Sequence, residues 1–257
     1  MSQILDQLLS NLLEGKIVKV LIGLHWTAVV AEIEGRQQFG LASTLRVPHS
    51  HHEQPDVPQA GDLESLSGSA LAALTKSEEL TLAAVGVAAI NALLPFYPEA
   101  WIDLNAEEVL AKHGRGKNVA VIGHFPFVDR LRSHVSRLHI LEQHPQPGDL
   151  SAAAAAAILP QADVIAITGT TLINHTFDQL LEICSPQALI ILVGPSTPLS
   201  PIIFDHGVDI LCGSVVTAPH PVLNVIGQGG NFRQVRRAGV RTVTLARSEY
   251  NQDRVSG

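Results

Sequence analysis

Asp163-Val164-Ile165-Ala166-Ile167-Thr168-Gly169-Thr170-Thr171-Leu172-Ile173-Asn174 begins as an unbroken apolar run, turns at a glycine between hydroxyl side chains, and continues into a helical pattern. An apolar run without polar alternation suits a strand covered on both faces. Asn118 to Ile122, Arg137 to Leu141, Ala188 to Val193, Val208 to Cys212 and Arg241 to Leu245 are runs of the same kind. Phe127 to His134, Asp149 to Leu159 and Leu172 to Cys184 fit helices between them, the second through the helix-forming alanine run 152–157. From about Lys117 onward the pattern therefore predicts a parallel sheet with helices on its faces.

Upstream the pattern changes. Ile4, Leu8 and Leu12 repeat every four residues, as in a short amphipathic helix. Ile17 to Ile22, Thr27 to Ile33 and Gln38 to Thr44 then read as three antiparallel strands, separated by Gly23 and by Glu34-Gly35-Arg36. Asp62 can cap a helix with Leu63, Leu66, Ala70 and Leu74 on its stripe. Ser77 with Glu78 and Glu79 opens another, with Leu80, Ala84, Val87, Asn91 and Leu94 on one face and Pro95 stopping it. The expected fold class is α/β: an N-terminal α+β domain over residues 1–104, with a three-stranded antiparallel sheet plus helices, then a parallel-sheet α/β domain over 105–257.

The chain has 257 residues, 46% hydrophobic and 16% charged, with material for a packed core rather than disorder. Its net charge of -7 lacks the positive field that drives phosphate-backbone binding, which argues against nucleic acid as a partner. Cys184 and Cys212 are too few for a disulfide framework or a cysteine-only zinc site, and both lie in apolar stretches. Residues 1–14 do not resemble a secretory signal, and prolines interrupt the uncharged runs 80–98 and 183–204, so the expectation is a cytoplasmic protein without a membrane span. The apolar content is compatible with a homodimer.

Ligands of open parallel sheets bind where the strands end. The first strand of the second half ends in Gly123-His124-Phe125-Pro126. A single glycine is not the three-glycine dinucleotide fingerprint, which argues against NAD bound in the usual manner. His124 is placed to act as acid, base or ligand, with a helix-capping imidazole as the alternative. Glu142, 19 residues past Gly123, stands where an acidic side chain reaches a ribose, or it is simply solvated. Thr168-Gly169-Thr170-Thr171 followed by Asn174 suits a phosphate or carboxylate at a helix end; equally, the threonines can merely cap. In Gly194-Pro195-Ser196-Thr197-Pro198, Thr197 can cap a helix with Pro198 at its first position. Asn91 on an apolar stripe needs a partner, either backbone or ligand. His49, His51 and His52 beside Glu53 form a histidine cluster that can hold zinc, nickel or copper, or stay solvated.

Taken in order, Gly40-Leu41-Ala42-Ser43-Thr44, the stretch from Gly86 to Leu93, Gly123-His124-Phe125-Pro126-Phe127, the stretch from Thr168 to Asn174 and Gly194-Pro195-Ser196-Thr197-Pro198 resemble a family of prokaryotic proteins assigned to heavy-metal chelation. The resemblance spans both halves. It implies an enolase N-terminal-like domain joined to a Rossmann-like domain, with a site in the cleft between them. His175 departs from the family pattern, in which a small residue, often glycine, follows the asparagine.

The resulting expectation is a protein that binds a transition metal, or a small anionic molecule that chelates one, in the interdomain cleft. Asn91, Gly123, His124, Glu142, Thr168, Gly169, Thr170, Thr171, Asn174, Gly194, Pro195, Ser196 and Thr197 are the candidate ligand-binding residues, and His124 with His49, His51 and His52 the candidate metal ligands. The rival is an enzyme using an adenosyl-type, nucleotide-like cofactor, with Glu142 on the ribose hydroxyls. A third class is a regulatory or assembly partner whose cleft stays empty.

Overall fold

The structure, a computed structural model, describes residues 2–46, 55 and 57–250. The histidine cluster at 49–52 lies outside the described residues. Helix α1 (Gln3–Ser10) leads into strands β1 (Lys16–Ile22), β2 (Trp26–Ile33) and β3 (Arg36–Ser43), which form an antiparallel sheet in that order. The β2–β3 turn is two residues long, with Glu34 and Gly35 both at positive φ, the geometry that matches strand twist.

Two helices follow, α2 (Gly68–Ala73) and α3 (Leu80–Leu93). Ser67 rather than Asp62 caps α2, its side chain accepting from the Ala70 N–H; Asp62 precedes only a short 3-10 turn and makes no cap bond. Helix α3 packs on β2 and β3 and is buried all round, twelve of its fourteen residues being inaccessible, where the sequence pattern suggested a single stripe. It ends because Leu94, preceding Pro95, is driven into extended backbone.

The second half contains α4 (Ala106–His113), β4 (Asn118–Ile122), α5 (Val128–Leu131), β5 (Arg137–Glu142), β6 (Leu150–Ser151), α6 (Ala155–Ile158), β7 (Val164–Thr168), α7 (Phe177–Glu182), β8 (Leu189–Val193), β9 (Ile210–Val216), α8 (Pro219–Gly227), α9 (Phe232–Gly239) and β10 (Val240–Ala246). The sheet order is β10-β9-β8-β7-β4-β5-β6. All neighbours are parallel, as expected, except the edge strand β10, which runs antiparallel to β9. The reversal follows from the compact α8–α9 hairpin, which returns the chain to the end of β9 that it left.

The long helices expected over 149–159 and 172–184 are shorter. The first begins with β6 and a 3-10 turn; the second is interrupted by His175 at φ 58, so α7 starts only at Phe177. A left-handed residue ends helical propagation and is the conformation glycine adopts most cheaply, which gives a reason for a small residue there. His175 Nε2–H donates to the Ser77 carbonyl at 2.9 Å, joining the two halves. One apolar core also runs through both: Leu8, Val29, Ile90 and Leu93 are continuous with Ile165, Ile167, Leu192 and Leu211. No helix among the described residues is long and apolar enough to cross a membrane.

Candidate functional site

The chain runs from β4 to β5 and β6 on one side, then crosses to β7, β8 and β9 on the other. A crevice opens where the direction of strand succession reverses, between the ends of β4 and β7. Here Gly123 (φ 103) and Gly194 (φ 110) turn the chain at the ends of β4 and β8 with backbone geometry that L side chains rarely adopt. Each is tied to the next strand, Gly123 N–H donating to Leu141 O and Gly194 N–H to Cys212 O, both at 2.9 Å.

These loops border a cavity of about 780 Å³. His124, Thr168, Gly169, Thr170, Gly194, Pro195 and Ser196 line it together, with Trp26 and Ser43 contributed by the N-terminal sheet. Ser196 Oγ accepts the Ser43 N–H at 2.9 Å, so the β8 loop is bonded directly to the end of β3. Thr168 and Thr170 hydroxyls bond to each other at 3.0 Å. The aromatic walls are Phe125 stacked on Phe127, and Trp26 against Phe232, each pair 5.2 Å between ring centres.

The remaining candidates have other occupations. Asn91 does not reach the cavity: its amide donates to Leu41 O at 2.8 Å, holding α3 to β3. The Glu142 carboxylate accepts the backbone N–H groups of His124 (2.9 Å) and Gln143 (2.7 Å) and does not line the cavity. Thr171 is buried and donates to Thr168 O at 2.7 Å. Asn174 Oδ1 accepts from Thr176 Oγ1 (2.7 Å) and N (3.3 Å) in a local turn. Gly123 shapes its loop without lining the cavity. Thr197 caps nothing, since residues 197–200 are irregular and the next turn, Pro201–His206, is 3-10; its hydroxyl is buried without a partner among the described residues. The 169–172 segment is likewise a 3-10 turn, so no α-helix N-terminus stands behind Thr168 and Thr170.

Three features of the cavity escaped the sequence reading. Arg233, Arg236 and Arg237 project into the cavity from α9, spaced i, i+3, i+4 and hence on one face. All three are exposed and none is salt-bridged among the described residues. Asp149, read as the start of a helix, instead lies behind His124, its carboxylate 2.9 and 3.1 Å from Nδ1. Glu107 and Arg130 also line the cavity, paired at 2.6 and 2.7 Å; that bond is the main reason the Glu107 carboxyl is held below its ordinary range. The only available signals were isolated charges, which look the same on any solvated helix.

The donor set decides what the cavity can hold. Among the described residues no group of three or more His, Cys, Asp or Glu side chains is placed to hold a metal ion. Cys212 lines the cavity but is buried, which pushes its thiol up to about 12, and its Sγ lies 3.4 Å from Thr244 Oγ1. Glu107 is occupied by Arg130. A resident bare metal does not fit these residues. Arginines and hydroxyls suit oxyanions.

Residues 105–245 match the family model DUF364 and residues 5–94 match DUF4213, both described as "Putative heavy-metal chelation". The chain belongs to this family. It is 30% identical over 196 residues to an uncharacterized protein of Methanocaldococcus jannaschii, an alignment covering 74% of each chain. A DUF364-family crystal structure of unknown function from Desulfitobacterium hafniense superposes with TM-score 0.80 at 26% identity, covering 95% of this chain and 98% of that one. A second, from Pyrococcus horikoshii, gives TM-score 0.80 at 22% identity over 96% and 99% of the two chains, which is a likeness of fold.

Proposed function

We propose that this protein binds an elongated small anion along the strand-end cavity, of the kind that itself carries metal-chelating groups. Metal then reaches the protein inside that chelate rather than as a bare ion. The observation that carries the reading is the position of three arginines that have no salt bridge among the described residues. His124 follows β4 and α9 precedes β10, four strand intervals away at about 4.8 Å each, or roughly 19 Å. A ligand using both ends of the cavity is therefore extended, with its anionic arm at Arg233, Arg236 and Arg237, its middle beside the Thr168, Thr170 and Ser196 loops, and its head near His124. The family description supports a role with metals, and the donor set supports the anion as the direct ligand.

Calorimetry on chelator-stripped protein with His49, His51 and His52 replaced by Asn tests this. Linear polycarboxylates of increasing length are expected to bind with strong salt dependence, and to lose roughly tenfold or more in affinity when the three arginines become alanine. Stoichiometric binding of bare Ni(II), Zn(II) or Cu(II) without anion binding would overturn the reading.

A further inference from the structure

The head of the cavity holds an imidazole whose orientation is fixed from behind. Asp149 has a side chain only 1% exposed; its carboxylate accepts from the His124 ring and from the Gln146 N–H at 3.0 Å. With Nδ1–H donating to that carboxylate, the lone pair of the ring resides on Nε2. Nε2 is the ring nitrogen that Asp149 does not hold; His124 lines the cavity, and its side chain is 26% exposed. Glu142 anchors the same residue by accepting its backbone N–H.

A carboxylate behind an imidazole fixes the tautomer and raises the basicity of metal-bound histidines. Among the described residues it stands without the further protein donors that a resident ion needs. One oriented nitrogen is too little for a bare ion, yet it suits a metal whose other positions are already filled.

We propose that His124 Nε2 is the single protein ligand to a transition metal that arrives inside a small anionic chelate with an open coordination position. This rests on the anion reading above, with Arg233, Arg236 and Arg237 holding the chelate's far arm. On docking, the Nε2 lone pair displaces one metal-bound water; the water leaves, no proton moves and the metal keeps its oxidation state. Asp149 is a positioning residue. The cavity thereby distinguishes a loaded chelator from an empty one, and borderline metals that favour imidazole, such as Ni(II), Cu(II) and Zn(II), are the fitting cargo.

The probe is nitrilotriacetate carrying a long linker that ends in a carboxylate. It is used metal-free, loaded with Ni(II), and beside a Ni(II) complex on the same linker whose head fills every coordination position. Wild-type protein is expected to bind the open Ni(II) form at least roughly tenfold more tightly than either control. His124→Gln removes that preference, so that loaded and metal-free probe bind it alike; Asp149→Asn reduces the preference. With Cu(II) in the probe, the wild-type electron paramagnetic resonance spectrum gains coupling to one imidazole nitrogen, a readout that stands even if a variant fails to fold. Equal binding of loaded and empty probe, or a preference that survives His124→Gln or disappears on replacing His49, His51 and His52, overturns this proposal and leaves the anion reading standing. Metal-free binding that is indifferent to the three arginines, or no binding of any form, overturns both.

Discussion

Helices α3 and α9 use polar residues in opposite ways. Helix α3 has two polar side chains, and both donate to neighbouring backbone, Thr81 to Leu45 O at 3.2 Å and Asn91 to Leu41 O, although Asn91 Oδ1 is buried without a partner among the described residues. Helix α9 has a single buried residue, Val235, and is held in place by a capping box in which Asn231 and Gln234 satisfy each other's backbone N–H groups. Its fold needs are met without the arginines. A polar group already consumed by the fold says little about ligands; a charged group the fold leaves unused, facing a cavity, says more.

That contrast can be broken or sharpened by substitution, beginning where the expected stability change is greatest. A Cβ at Gly86 would run into the Thr75 backbone and lie 2.6 Å from the Leu74 carbonyl carbon, because α3 passes that close to its neighbour. Gly86→Ala is therefore expected to cost about 3 kcal/mol or more in denaturant unfolding. Asn91→Leu strands the Leu41 carbonyl and should cost about 1–3 kcal/mol while leaving anion binding unchanged in calorimetry. Loss of binding without loss of stability would place Asn91 in the site after all. Replacing Arg233, Arg236 and Arg237 by alanine should reverse this pattern, shifting stability by only about 0.5 kcal/mol while weakening salt-dependent anion binding roughly tenfold or more.

The smallest change is expected where charge serves neither buried packing nor the cavity. Glu64 accepts from Lys19 and from the Val20 N–H, which together hold its carboxyl below 4.5 despite some desolvation. A depressed carboxylate stabilises the folded chain above its unfolded value, and that contribution fades as pH falls through the lowered folded value. After solvent screening it amounts to about a few tenths of a kcal/mol. Glu64→Gln should remove this slope from stability measured between neutral and acidic pH, with ligand binding untouched.

Much of the second sheet was legible because burial on both faces demands apolar runs, and 118–122 and 189–193 carry little else. The strand-end loops were legible for a related reason: Gly123 and Gly194 interrupt those runs abruptly. Asp149 was misread because a carboxylate before an alanine run resembles a helix start, whereas its partner His124 is 25 residues away in sequence. Thr197 before Pro198 resembled a cap for the same local reason, but no helix follows. Glu142 was correctly placed at a strand end, yet its carboxylate was already committed to two backbone donors.

By itself the amino-acid order determined which segments must be hidden from water, and hence the two sheets and the turns that glycine alone makes cheaply. Those are local consequences of hydrophobicity and backbone sterics, acting over a few residues. Tertiary structure alone decided which polar groups remain unsatisfied once the chain is packed. Hydrogen bonds such as His124 to Asp149 or Asn91 to Leu41 depend on where distant segments dock, and that docking turned one predicted ligand into a structural tie and three unremarked arginines into the wall of a cavity.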